Sequence, residues 1–170
     1  MKQFILVVCA VSFLSFSAQS QDSTHTYKEW INAGIGFSSP FEKTRGIKFS
    51  FVLSYNFGWD NIYYQVGING VKQPNVERYL DYDISSISFL PGLRTMNRWL
   101  HGSVFLGPAP TSTNKSNTTT IVWTVGLVLN LQGFLKLAED VGLGIDVYGN
   151  LNTTQSVAAL RFALHISNAN

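Results

Sequence analysis

The stretch GIKFSFVLSYNFG, residues 46–58, decides the fold class. Ile47, Phe49, Phe51, Leu53, Tyr55 and Phe57 fall on one face of an extended chain, while Lys48, Ser50, Ser54 and Asn56 fall on the other. Only Val52 breaks the division. A period of two sustained this long is the signature of a β-strand, because successive side chains point to opposite faces of the pleat.

The same rhythm runs through NIYYQVGING, where Ile62, Tyr64, Val66 and Ile68 share a face, and through TIVWTVGLVLN with Ile121, Trp123, Val125, Leu127 and Leu129. In VGLGIDVYGN, Val141, Leu143, Ile145 and Val147 oppose Gly142, Gly144, Asp146 and Tyr148. The final run sets Ala158, Leu160, Phe162, Leu164 and Ile166 against Arg161 and His165. EWINAGIGFS offers Ile31, Ala33, Ile35 and Phe37. DISSISFLPGLR changes face between Ile84 and Ile87, which predicts a bulge near Ser85 and Ser86. RWLHGSVFLG sets Leu100, Val104 and Leu106 against Trp99 and Phe105. The pattern predicts eight strands at 29–38, 46–57, 61–70, 82–94, 98–107, 119–132, 140–150 and 156–167.

Long and short connections largely alternate. SPFEKTR, VKQPNVERYLD and PAPTSTNKSNTT are long, whereas GWDN, TMNR and LAED are short; LNTT is short where a long link is expected. Transmembrane β-barrels have short periplasmic turns, longer external loops and strands of about 10 residues. The alternative is a soluble periplasmic barrel with the apolar face turned inward around a small apolar ligand. The other face discriminates, being mostly Gly, Ser, Thr, Asn, Gln and Tyr with isolated Lys48, Asp146 and Arg161. A water-facing surface would be rich in Lys, Glu and Arg, yet charged residues make up only 13% of the chain, against about 25% in ordinary domains. The composition therefore favours an all-β, antiparallel up-and-down transmembrane barrel, with Trp59, Trp99, Phe134 and Tyr148 as interfacial girdle residues.

The leader agrees with export. Lys2 supplies a positive start, Phe4 to Phe16 an apolar segment, and Ala18-Gln19-Ser20 the small residues read by a signal peptidase. Residues 1–20 are expected as a signal peptide and 21–170 as one barrel domain in the outer membrane of a Gram-negative bacterium. The leader's apolar run is too short for a membrane anchor, which needs about 20 residues. Cys9 is the only cysteine, and bulky Val8 before it argues against lipidation, so the mature chain lacks a disulfide or thiol nucleophile. The net charge of +2, spread thinly, excludes nucleic acid as a partner. Outer-membrane lipids, the barrel-assembly machinery and an extracellular or envelope protein are the partners expected. No cofactor or metal is implied: His101 has no second ligand at a useful spacing. About eight strands leave an interior that side chains fill, which argues against conduction.

The hairpin VGLGIDVYGNLNTTQSVAALRFALHI, residues 141–166, resembles the closing hairpin of small outer-membrane β-barrel proteins of the Bacteroidota. The resemblance implies an outer-membrane location; the departure is the ending Asn168-Ala169-Asn170 in place of a terminal aromatic residue. The tail also resembles barrel-type lipid A deacylases, whose His-x-Ser-Asn-Ala motif is matched by His165, Ser167, Asn168 and Ala169. That resemblance implies His165 as base and Ser167 as nucleophile, with an acid downstream that this chain does not supply. Of the acids elsewhere, only Asp146 or Glu29 could orient the base. A strand eight running toward the periplasm would also put both residues at the inner rim, far from outer-leaflet lipid A. The reading adopted is a non-enzymatic barrel, structural or binding through its external loops, whose last strand has a polar end. Asp146 and Arg161, on lumen faces of adjacent strands, are expected to form a charge pair that plugs the interior.

Overall fold

The computed structural model describes residues 27–41, 48–59, 62–72, 84–114 and 121–167. The leader, most of the three long connections, and Asn168 and Ala169 of the tail motif lie outside these residues. Eight strands form a closed barrel: β1 (Tyr27–Pro40), β2 (Lys48–Trp59), β3 (Ile62–Lys72), β4 (Ile84–Met96), β5 (Leu100–Asn114), β6 (Ile121–Lys136), β7 (Val141–Leu151) and β8 (Val157–Ser167). Each strand pairs antiparallel with its neighbours in sequence, and β1 pairs with β8 to close the ring. Closure satisfies the edges that an open sheet would leave bare.

The alternation that defines the strands also sorts their side chains. On β2, Phe49, Leu53 and Tyr55 face outward, while Lys48, Ser50, Val52, Ser54 and Asn56 are buried inside. The outward apolar face is continuous around the barrel, with Ile35 61%, Val125 70% and Phe162 69% exposed. This overturns the soluble alternative, which needs those side chains inside. The interior is polar at most levels but carries an apolar cluster that includes Trp30, Tyr63, Leu90, Phe105 and Tyr148.

Several sequence expectations need correction. The bulge near Ser85 and Ser86 is absent: β4 keeps one register with β3 from Ile84 to Gly92. Ile84 and Leu90 are simply apolar residues on inward positions. Phe105 also points inward, and Trp99 sits in the β4–β5 turn, where Asn97 Oδ1 accepts the backbone N–H groups of Trp99 and Leu100. Trp59 and Trp99 are exposed as girdle residues should be, but Phe134 and Tyr148 are buried in the lumen.

The fifth strand continues to Asn114, through the segment PAPTSTN read as loop. Its prolines are accommodated on one side. The β5–β6 ladder runs unbroken through Pro108 and Pro110, whereas β4–β5 pairing lapses between Ile87–Pro91 and Leu106–Pro110. The N–H groups that Pro108 and Pro110 lack therefore belong to the β4 side. At the opposite extreme is the short β7–β8 link. There Asn152 Oδ1 accepts the backbone N–H groups of Thr154 and Gln155 at 2.9 and 2.7 Å, and its amide donates to the Gln155 carbonyl. A side chain supplies the order that length supplies elsewhere.

Candidate functional site: the hydrogen-bonded lumen

Asp146 and Arg161 are register partners on β7 and β8, and neither is exposed. Arg161 Nη1 donates to Asp146 Oδ1 at 3.1 Å and to Asn69 Oδ1 at 2.8 Å, while Nε donates to Ser50 Oγ at 2.8 Å. The guanidinium carbon lies 4.5 Å from the centroid of the Tyr148 ring. Asp146 Oδ2 accepts from Asn130 at 2.7 Å and from Gln132 at 3.4 Å. Strands β2, β3, β6, β7 and β8 thus converge on one ion pair. Gly36 lets β1 lie close against β8 at this level, because a Cβ there would collide with the Leu160 carbonyl oxygen and the Arg161 backbone.

A second cluster lies nearer the end that carries the short turns. His165, which is buried, lies between Arg94 and Asn32: Nε2 is 3.4 Å from Arg94 Nη2 and Nδ1 is 2.9 Å from Asn32 Oδ1. Arginine only donates, so Nε2 accepts and Nδ1 carries the proton. That fixes Asn32 with its oxygen toward the ring; the reversed amide would leave an N–H facing the guanidinium. Asn32 Nδ2 then donates to Gln132 Oε1 at 2.8 Å, and Gln132 Nε2 reaches Asp146. The result is a directional chain of donors, Arg94 to His165 to Asn32 to Gln132 to the Asp146 carboxylate. Arg94 also donates to His101 Nδ1 at 2.9 Å and stacks on Trp30, with Cζ 3.7 Å from the ring.

His165 and Ser167 share the inward face of β8 but share no hydrogen bond among those of the described residues, and the imidazole is held by Asn32 and Arg94. Neither Asp146 nor Glu29 orients the base. Asp146 is three hydrogen bonds away, and Glu29 accepts the hydroxyls of Tyr27 and Tyr55, both of which are exposed. His101 is not isolated, as its sequence position suggests. Its ring centroid is 5.6 Å from that of His165, although the Arg94 guanidinium occupies the space where a cation shared by the two rings would sit. Among the described residues no group of His, Cys, Asp and Glu is arranged to hold a metal ion.

Sequence reasoning missed Arg94, Trp30, Asn32 and Gln132. Their inward parity was readable for β1 and β6, but their convergence depends on barrel closure, which joins β1 to β8.

No protein-family model matches the chain, and no curated protein sequence does either. Solved structures do. Ail, the attachment invasion locus protein of Yersinia pestis, aligns with a TM-score of 0.60 at 12% identity, over 83% of this chain and 98% of its own. Neisserial surface protein A aligns with 0.59 at 12% identity, over 85% and 99%. The N-terminal β-barrel domain of Pseudomonas aeruginosa OprF aligns with 0.58 at 9% identity, over 85% and 100%. At such identities the likeness is one of fold, and the fold is that of the small eight-stranded outer-membrane β-barrels.

Proposed function

We propose that this chain is a non-enzymatic β-barrel of a Gram-negative outer membrane, acting structurally or by binding through its external loops. One observation carries the reading: large apolar side chains dominate the outward face around the whole barrel, while most inward positions carry hydrogen-bonded polar side chains. A barrel so arranged would aggregate in water and is matched to lipid. Residues 1–20 act as the export signal in this reading, and the end bearing Tyr27 and Ser167 faces the periplasm. The closing hairpin's resemblance to Bacteroidota barrels is consistent with it. The deacylase reading has less support, because His165 and Ser167 lie at the periplasmic end and no carboxylate orients the imidazole. Fractionation followed by a heat-modifiability gel tests the proposal. The protein should sediment with outer membranes and migrate differently before and after boiling; recovery as a soluble periplasmic protein would overturn it.

A further inference from the structure

Among the described residues two arginines are buried in the lumen, and only one of them has a carboxylate. Arg161 has Asp146. Arg94, 7% exposed, has two imidazoles and the face of Trp30, and its Nε has no hydrogen-bond partner. A guanidinium held largely out of water without a counter-charge is costly, and an unpaired buried donor adds to the cost.

The charges around it do not compensate. Lys28 on β1 lies two residues before Trp30, on whose ring Arg94 stacks, and Lys136 on β6 borders one crevice with His101 and His165. Lys28 and Lys136 are half-buried on inward positions, the second residue of β1 and the last of β6, at the same end of the barrel. The acids of the adjoining β6–β7 turn, Glu139 and Asp140, are exposed at the rim. Glu139 borders a crevice with Lys136, His101 and His165, whereas no carboxylate contacts Arg94 among the described residues. Three cations and two imidazole rings from β1, β4, β5, β6 and β8 therefore converge on one mouth of the barrel.

We propose that this mouth binds a small oxyanion of the phosphate type, with Arg94 as the buried anchor and Lys28 and Lys136 as the rim contacts. An oxyanion supplies the missing counter-charge, and its several acceptor oxygens suit a guanidinium with ammonium groups at the same mouth of the barrel. Free phosphate and the phosphodiester of a lipid headgroup offer the same chemistry. The location of this mouth in the periplasm rests on the membrane reading above; the binding chemistry does not.

The test uses the full mature chain folded in maltoside micelles, which contain no phosphate, with folding checked by heat-modifiability. Failure to fold there would count against the membrane reading and is distinguishable from failure to bind. Inorganic phosphate should raise the unfolding temperature saturably, beyond chloride at equal ionic strength. A Lys28→Gln/Lys136→Gln variant, altered only at the rim, should fold and bind at least about tenfold more weakly, the loss of one charge-assisted contact or more. In a second arm phosphatidylglycerol replaces phosphate; a saturable, lysine-dependent rise there and none with phosphate identifies the lipid headgroup as the source. The proposal is overturned if neither arm gives a rise, if chloride matches phosphate, or if the double variant responds as the wild type does.

Discussion

Asp146 shows how one residue can hold a wall together. It accepts hydrogen bonds from β6 and β8 and sits at the end of the donor chain that begins at Arg94. Asp146→Asn removes the charge while keeping the shape, and leaves Arg161 buried without a counterion. Breaking one side of such a pair costs about 3–5 kcal/mol, whereas replacing both partners can be close to neutral. Asp146→Asn should therefore lower the urea midpoint of the folded barrel markedly, and Asp146→Asn with Arg161→Met should recover much of the loss. Additive losses would show that the two residues are not coupled. This pair was legible in the sequence because both are lone charges on the non-apolar face of clean alternations on consecutive strands, which the short LNTT link sets side by side. Arg94 was not. Its strand carries Ile84 and Leu90 on the same inward face, so the usual polar-in signal was absent around it.

At the scale of the element, β2 and β5 mark the two limits of what periodicity conveys. On β2 every second residue is large and apolar, so the face of each residue followed directly from the alternation. On β5 the upper half is Gly107-Pro108-Ala109-Pro110-Thr111, whose residues usually signal a loop. They form a strand because β6 supplies an unbroken partner, and the seam toward β4 bears the missing hydrogen bonds. In a hydrocarbon setting each unsatisfied backbone group is costly, so this seam is the weakest part of the wall. Amides of Ile87 and Phe89 should exchange hydrogen faster than those of the β5–β6 ladder in micelles. Pro108→Ala should slow them and add about 1 kcal/mol of stability, the net worth of one restored bond. Equal protection along both seams would refute this. The outward face of β6 offers a complementary test. Leu127, half exposed and close to mid-strand, faces lipid in this reading, and Leu127→Arg should cost about 2–4 kcal/mol or prevent insertion. A silent Leu127→Arg would point to a water-facing wall.

The whole molecule decides what its most reaction-like string can do. Eight strands starting from the end that holds Tyr27 bring Ser167 back to that same end, with the short turns at 97–99 and 137–140. If the longer connections face outward, His165 and Ser167 lie at the periplasmic rim and point into the lumen, a membrane thickness away from lipid A in the outer leaflet. Barrel closure then places Asn32, rather than a carboxylate, against the imidazole, and Arg94 against its other nitrogen. A base held between an amide and a guanidinium has no group to stabilise its protonated form. His165→Ala and Ser167→Ala should therefore leave the lipid A of expressing cells unchanged from that of cells making the wild-type chain or none. Mass spectrometry of extracted lipid A reads this directly. An enzyme would lose orders of magnitude of rate on removal of its base or nucleophile. If the wild-type chain strips an acyl group and Ser167→Ala restores it, both the orientation of β8 and the non-enzymatic reading are wrong. Where lipid A is the same in all strains, His165→Ala should still lower the unfolding temperature, because it cuts the donor chain between Arg94 and Asp146. Ser167→Ala, outside that chain, should not.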